Sequence, residues 1–186
     1  MLVLCVGAGD GFGGSLRDLP SQFRELLVAG RIDTVCCTDH VGEDSLDYLS
    51  TLSPNVHSTP GRGDIEAADT SAVRTGNGVG IVMVAGRAIP PSTRSLRSLA
   101  MRHGASIIVS SSGAPDVCDV GGVLVVRVGS LLGNKPSSPG SSSQGPYSFQ
   151  LLDIGQEGRC VCYTYRLTDL SGQVDIAKKV FSLQQV

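Results

Sequence analysis

Aromatic residues are scarce in this sequence: they make up 4% of its 186 residues, and none of them is tryptophan. Positive charge is also sparse, because 15 Lys and Arg are set against 17 Asp and Glu, and the basic residues are scattered. Surfaces that bind nucleic acid or anionic lipid gather basic residues on one face, and single-strand binders interleave them with aromatic ones. The composition therefore argues against nucleic acid as a partner and against direct membrane binding.

The sequence also lacks the segments that target or cross a membrane. No apolar run approaches the ~20 residues of a membrane span. The N-terminus has no positively charged region or cleavage site, so we expect residues 2–6 to form a strand rather than part of a signal peptide. A cytoplasmic protein that reaches membranes only through its partners is the expectation.

Paired metal-binding cysteines are missing as well, because none of the six cysteines forms a C-x-x-C motif. They are Cys5, Cys36, Cys37, Cys118, Cys160 and Cys162. Most lie inside apolar segments, where cysteine usually behaves as a small buried hydrophobic residue. We therefore expect reduced, buried thiols.

What is present is the composition of one globular domain over residues 1–186, with 41% apolar and 17% charged residues. Strand-like and helix-like segments alternate over the first two-thirds. The expected strands there are 2–6, 34–38, 56–58, 79–85 and 106–110, and the expected helices are 19–29, 43–52 and 95–103. A glycine-rich loop is expected between 58 and 79.

After residue 110 the alternation of strand-like and helix-like segments stops, and strands follow one another without helices. They are expected at 116–120, 123–128, 148–154, 159–167 and 173–183. Gly121-Gly122 predicts a hairpin turn, and the low-complexity stretch at about 133–146 predicts a flexible Ser/Pro/Gly-rich surface loop. The order of segments predicts an α/β (α+β) fold, a β-sandwich of two sheets flanked by helices on both outer faces.

One motif suggests a cofactor. GAGDGFGG at 7–14 follows the first strand and contains G-x-G-x-x-G, and Asp39 ends the second strand, near where a ribose-binding acid belongs. In a dinucleotide site the third glycine lies at the start of the helix, whereas five residues separate Gly14 from Pro20 here. A dinucleotide-binding oxidoreductase is therefore kept only as an alternative, and no cofactor is predicted.

Several longer motifs carry a resemblance over essentially the whole chain. They are MLVL-x-x-G at the start, LP-x-x-F-x-x-LLV-x-G from Leu19 to Gly30, SLDYL-x-TL up to Leu52, VH at 56–57, GS at 129–130, SF-x-L-x-DI from Ser148 to Ile154, and Y-x-Y at 163–165. On these residues the sequence resembles the small retromer subunits of the calcineurin-like metallophosphoesterase superfamily. The resemblance implies a metallophosphoesterase-like β-sandwich.

Active members of that superfamily hold two metal ions with D-x-H, G-D or G-N, G-N-x-D, a lone His and G-H-x-H, since carboxylates and imidazoles must supply the coordination. The matching positions in this chain are Ala8, Asp10, Asp39, His40, Arg62, Asp64, Ala85, Ser112 and Ala114. Both histidines of the last motif and the lone His are replaced, and Arg62 brings a cation where a metal would lie. The prediction is no catalytic residue and no metal, with a weak metal-dependent phosphodiesterase as the alternative.

The resemblance then implies a non-catalytic retromer scaffold in endosomal sorting and retrograde transport, peripheral on endosomes through the complex. It implies binding to the C-terminal end of the large α-solenoid subunit, vacuolar protein sorting-associated protein 35, and through it to the rest of retromer. We call the matching residues the large-subunit loop: Arg87, Ile89, Pro90 and Pro91. Ile89 and Pro90 form its apolar tip, a natural anchor for a groove between helices.

The resemblance also implies a second surface, on the opposite face, that captures short apolar peptides of regulator proteins. We call the matching residues the regulator-peptide patch: Leu2, Leu26, Leu151, Tyr163, Tyr165 and Val174. Tyr163 and Tyr165 share one face of a strand, and tyrosine suits a half-wet site. Sequence alone leaves open whether each of these residues is core or surface.

Overall fold

The structure of the chain is a computed structural model that describes residues 1–7, 16, 19–38, 42–59, 70–85, 92–111, 114–133, 147–169 and 172–184. Over these ranges it contains eleven strands and three α-helices. In chain order they are β1 (Leu2–Val6), α1 (Ser21–Leu26), β2 (Thr34–Cys37), α2 (Glu43–Leu52), β3 (Val56–Ser58), β4 (Thr70–Arg74), β5 (Gly80–Val84), α3 (Thr93–His103), β6 (Ile107–Ser110), β7 (Asp116–Asp119), β8 (Leu124–Arg127), β9 (Tyr147–Ile154), β10 (Arg159–Leu167) and β11 (Asp175–Ser182).

The first sheet has the order β11-β10-β9-β1-β2-β3. β1, β2 and β3 run parallel, whereas β9, β10 and β11 are antiparallel to their neighbours. On β1, Cys5 is paired with Cys36 on one side and with Gln150 on the other. A strand covered on both faces needs apolar side chains on both, which explains the unbroken LVLCV run.

The second sheet has the order β4-β5-β6-β8-β7, with parallel β5, β6 and β8 and an antiparallel strand at each edge. The predicted hairpin between β7 and β8 is confirmed. Gly121 and Gly122 have φ of 65° and 86°, values that glycine adopts without strain. Across this turn the Val120 N–H donates to the Val123 carbonyl at 2.9 Å.

Three apolar layers hold the sandwich together. The inner layer, between the sheets, includes Val3, Ile107 and Leu152. On the outer face of the first sheet, α1 and α2 pack around Phe23, Leu49 and Phe149, and on the outer face of the second sheet α3 packs around Leu96 and Ile108. The predicted sandwich with helices on both outer faces is therefore confirmed.

The first helix is shorter than predicted. It spans Ser21–Leu26 rather than 19–29, and it begins after Pro20 with no side-chain hydrogen bond at the cap. Leu27 leaves helical geometry at φ −89° and ψ 82° and is only 4% exposed. Burial of Leu27 in the core thus outweighs the helix preference of the following residues.

β4 was not predicted from the sequence, which suggested only a glycine-rich loop there. Thr70–Arg74 pairs antiparallel with β5 at the edge of the second sheet. Its residues are half-buried or exposed, and three of the five are Thr, Ser and Ala. Strand formation there comes from pairing with β5 rather than from an apolar pattern.

In the described part of the chain, no helix has both the length and the apolar character that crossing a bilayer requires.

Candidate functional site

Most positions that match superfamily metal ligands lie outside the described residues. These are Ala8, Asp10, Asp39, His40, Arg62, Asp64 and Ser112. Ala85 follows β5 directly and is buried, at 6% exposure, whereas Ala114 precedes β7 and is exposed.

The parallel strands of the two sheets end at the same edge of the sandwich. The Gly7 N–H, just past β1, donates to the Gly129 carbonyl, just past β8, at 3.0 Å. A methyl group on Gly129 would collide with the Ser148 hydroxyl. A methyl group on Gly7 would lie 2.9 Å from the Gly129 carbonyl oxygen, so the close approach of the two strand ends depends on glycine at position 7.

The side chains that directly follow β2, β3 and β5 at this edge are neutral. Thr38 and Thr59 follow β2 and β3, are 0% and 1% exposed, and have hydroxyl oxygens with no hydrogen-bond partner among the described residues. Within the same residues, no group of three His, Cys, Asp or Glu side chains is placed to hold a metal ion. Thr38, Thr59 and Ala85 themselves supply neither a carboxylate nor an imidazole.

The large-subunit loop also lies outside the described residues, which resume at Ser92 after a gap that begins at 86. Its two anchor points are described. Ala85 is buried at the end of β5, and the Ser92 hydroxyl caps α3 by accepting a hydrogen bond from the Ser95 N–H at 3.2 Å. The loop therefore connects a buried strand end to a capped helix at the same edge of the sheet.

The regulator-peptide patch is fully described, and most of it lies on the outer face of the first sheet. Side chains at odd positions of β9 and β10 point to this face, because alternate residues of a strand share a face. Phe149 packs edge-on against Phe23 of α1 at 4.8 Å between ring centroids, and stacks on Tyr165 at 4.6 Å. The aromatic stack thus runs from the buried core to the half-buried Tyr165.

Exposure differs among the residues of the patch. Leu2, Tyr163, Tyr165 and Val174 are half-buried and pack against the outer-face core. Leu151 is buried, at 8% exposure, and Leu26 is 40% exposed on α1. The tyrosines thus have the partial exposure expected of a binding face, while Leu151 forms its floor.

Sequence reasoning missed two residues that extend the same face. Ile176 and Val180 on β11 are 55% and 54% exposed. Their register partners are Tyr165 and Val161 of β10. The sequence indicates only that positions 176, 178 and 180 share one face of the strand predicted at 173–183, and Val174 alone was selected from that region.

Lys178 lies between these two residues. Its Nζ is 5.7 Å from the centre of the Tyr163 ring, a distance at which a cation interacts favourably with the face of an aromatic ring. Lys178 forms no ion pair with any carboxylate among the described residues. Burial, followed by the neighbouring Tyr163, raises the pKa of Tyr165, so its hydroxyl stays protonated at neutral pH.

The cysteines are free, and five of the six are buried, which confirms the expectation of buried thiols. Cys160 and Cys162 lie on one strand face with their sulfur atoms 3.7 Å apart. Hydrogen bonding to Cys36, followed by burial, raises the pKa of Cys5, and hydrogen bonding to Cys160, followed by burial, raises that of Cys162. These thiols belong to the inner core and form no site.

The topology differs from that of a dinucleotide-binding domain. One neighbour of β1 is the parallel β2, but the other is the antiparallel β9, whereas a doubly wound sheet continues with parallel strands on both sides. α1 begins only at Ser21, well beyond Gly14. Asp39 lies outside the described residues.

No protein-family model matches the sequence. The structure is similar to that of a single mutant of Vps29 from Entamoeba histolytica, with a TM-score of 0.77 and 28% identity over 97% of this chain and 99% of that one. It is also similar to Vps29 from Chaetomium thermophilum complexed with a cyclic peptide, with a TM-score of 0.75 and 21% identity over 100% of this chain and 98% of that one.

A third solved structure is similar at the level of the fold alone. It is a predicted phosphoesterase from Streptococcus pneumoniae, with a TM-score of 0.56 and 16% identity over 96% of this chain and 97% of that one. The predicted metallophosphoesterase-like fold is thereby confirmed. From its two sheets, its helices on both outer faces and these similarities over nearly its full length, we conclude that the chain has the fold of the Vps29 structures.

Proposed function

We propose that the protein is a non-catalytic scaffold subunit of retromer that acts in endosomal protein sorting and retrograde transport. The observation that carries this proposal is the similarity to Vps29 over 97% of the chain, with 28% identity. In this proposal the protein is cytoplasmic and reaches endosome membranes only through the assembled complex.

The large-subunit loop is the proposed contact with the C-terminal end of the large α-solenoid subunit. An aliphatic side chain in a loop suits a groove between helices, and Pro90 and Pro91 restrict the loop, which reduces the entropy lost on docking. The support from the structure is indirect: the loop is anchored at one end by buried Ala85 and at the other by the capped start of α3.

Affinity capture of the tagged protein from its own cells tests this contact. The wild type should recover a large helical-repeat protein, and Ile89→Asp should abolish that recovery while leaving the melting temperature nearly unchanged. Met101→Asp is the matched control, because Met101 is an apolar residue 65% exposed on α3 and its loss should affect neither readout. Failure of the folded wild type to recover such a protein would refute the scaffold proposal.

The regulator-peptide patch is the proposed site for short apolar peptides. Its half-buried tyrosines combine apolar rings with polar hydroxyl groups, which suits a site that is solvated when no peptide is bound. The cyclic peptide bound to Chaetomium thermophilum Vps29 supports peptide capture by proteins of this fold. Tyr163→Ser should remove regulator proteins from the captured material and keep the large subunit, as judged by quantitative mass spectrometry.

The alternative function is that of a weak metal-dependent phosphodiesterase. Replacement of the superfamily imidazoles and the intrusion of Arg62 argue against it, because a two-metal centre needs several anionic and imidazole ligands. Metal content and hydrolysis of an aryl phosphate ester with added Mn²⁺ or Zn²⁺ distinguish the two functions. Stoichiometric metal together with metal-dependent turnover would overturn the non-catalytic assignment.

A further inference from the structure

We propose that the free edge of β11 binds an extended peptide segment with an acidic residue flanked, two positions away on each side, by apolar residues. The segment would add to the first sheet as a further strand. This site lies beside the regulator-peptide patch, but its ligand bonds to backbone groups of β11. It therefore stands or falls separately from the proposed function.

β11 is an edge strand with eight residues, Asp175–Ser182, and among the described residues it is paired only with β10. Edge strands expose a row of backbone N–H and C=O groups that a further strand can bond. Seven of the eight residues of β11 are exposed. The length and exposure of this edge are sufficient for a strand of typical size.

The hydrogen-bond pattern identifies which residues offer these groups. The Leu183 N–H donates to the Gly158 carbonyl at 2.7 Å, and the Gly155 N–H donates to the Arg159 carbonyl at 2.8 Å. Bonded and non-bonded pairs alternate along an antiparallel ladder. With the observed registers, even-numbered residues of β10 bond β11 and odd-numbered residues bond β9.

The same alternation then applies to β11. Its odd-numbered residues bond β10, so Ile176, Lys178 and Val180 direct their backbone N–H and C=O groups to the free edge. Their side chains share the outer face, as the position of Lys178 over the Tyr163 ring confirms. One set of three residues thus supplies both the backbone groups and the side chains that an added strand would meet.

These three side chains specify the ligand. Ile176 and Val180 are more than half exposed, and Lys178 between them has no carboxylate partner among the described residues. The next lysine, Lys179, points to the inner face and bonds Asp116. Cross-strand neighbours interact directly, and opposite charges stabilise the pair, so an acidic residue opposite Lys178 with apolar residues opposite its neighbours is the complementary segment.

A second copy of the chain is a poorer occupant. In antiparallel pairing of β11 with itself, the register that pairs Ile176 with Val180 places Lys178 opposite the Lys178 of the other copy. Like charges directly opposite each other destabilise a strand pair, and lysine on an edge strand is a common protection against self-association. The charge that rejects a copy is the charge that favours an acidic peptide.

The test uses two capped heptapeptides, Thr-Val-Thr-Glu-Thr-Val-Thr and its counterpart with Lys in place of Glu, titrated into the full chain and followed by NMR. The Glu peptide should slow the amide exchange of Ile176, Lys178 and Val180, while Ala177 and Lys179 are already protected by β10. The Lys peptide should bind more weakly by about three- to tenfold, as expected for one cross-strand charge pair reversed.

A charge swap provides the control. Lys178→Glu should reverse the preference between the two peptides, whereas Arg102→Glu, the same change in charge at an exposed position of α3 on the other sheet, should leave the preference unchanged. Absence of binding by the Glu peptide, binding without protection of the three edge amides, or an unchanged preference in Lys178→Glu would each overturn the proposal. Self-association of the chain through β11 in sedimentation equilibrium would overturn it in favour of a second copy.

Discussion

Lys179 and Asp116 join the edges of the two sheets. The Lys179 Nζ lies 2.7 Å from Oδ1 of Asp116 and 2.9 Å from the carbonyl oxygen of Val117. One side chain of β11 in the first sheet is thus bonded to β7 in the second. The pair leaves Lys179 engaged on the inner face and Lys178 available on the outer face.

The Lys179–Asp116 pair should contribute a small, pH-dependent part of the stability. The hydrogen bond from Lys179 lowers the pKa of Asp116, so its contribution is present above the pKa of the unfolded state, about 3.9, and is lost as pH falls through the folded value. Both side chains are about half exposed, so Asp116→Asn should cost at most about 1 kcal/mol.

Urea unfolding of wild type and Asp116→Asn at neutral pH and near pH 2.5 measures this contribution. The difference in unfolding free energy should shrink at the lower pH. Asp47→Asn, an exposed acid on α2, is the control and should show no such difference. A difference for Asp116→Asn that persists at low pH would mean that packing, rather than charge, accounts for the effect.

Gly80→Ala should destabilise the second sheet where β5 begins. A methyl group at this position would overlap the Gly104 carbonyl oxygen and lie 2.8 Å from the Ala105 Cα, both backbone atoms that cannot rotate away. Overpacking of this kind costs about 1–3 kcal/mol. Gly76→Ala is the control, because a methyl group there meets nothing within 4 Å; equal denaturation midpoints for the two variants would contradict the predicted clash.

Phe149→Ala should lower the unfolding free energy by about 3–5 kcal/mol, the usual cost of truncating a buried aromatic residue. Phe149 is 0% exposed and contacts both Phe23 and Tyr165 through its ring. Tyr165→Phe keeps the stacked ring and removes only a hydroxyl, so it should cost less than about 1 kcal/mol. Circular dichroism during chemical unfolding gives both values, and similar losses would show that the stack is not the stabilising contact.

The thiols should divide into one accessible group and five protected ones. Cys118 is half-buried and the other five are buried, and only the thiolate reacts with disulfide reagents. Because the pKa values of Cys5 and Cys162 are raised, moving from pH 7 to pH 9 should not expose them to reagent. Ellman's reagent should therefore count about one fast thiol in the native protein and six after unfolding in guanidinium, with fast native reaction of several thiols as the contrary result.

Much of the fold follows from local patterns in the sequence. The predicted helix at 43–52 has the observed bounds of α2, and the strand at 159–167 has those of β10, because each has a clear apolar period and a residue that ends it. β4 could not be predicted in this way, since Thr70–Arg74 becomes a strand only by pairing with β5. Leu27 ends α1 for a similar reason, because its burial depends on neighbours distant in the sequence.

The candidate surfaces were predicted less completely. Tyr163 and Tyr165 were identified through the family resemblance, and their shared strand face and partial exposure are consistent with that choice. The exposure of Ile176 and Val180 depends on β11 being the outermost strand of its sheet, and strand order is not visible in a local pattern. The large-subunit loop lies outside the described residues, and its role stays a prediction.

The position of β1 between β2 and β9 has a consequence for synthesis on the ribosome. Its two neighbours come from opposite ends of the sequence, since Leu4 pairs with Val35 on one side and with Leu151 on the other. β1 therefore has only one of its two hydrogen-bonding neighbours until most of the chain has emerged. Contacts so distant in sequence slow folding, and the unfinished sheet would present β1 as an open apolar edge that chaperones could shield in the nascent chain.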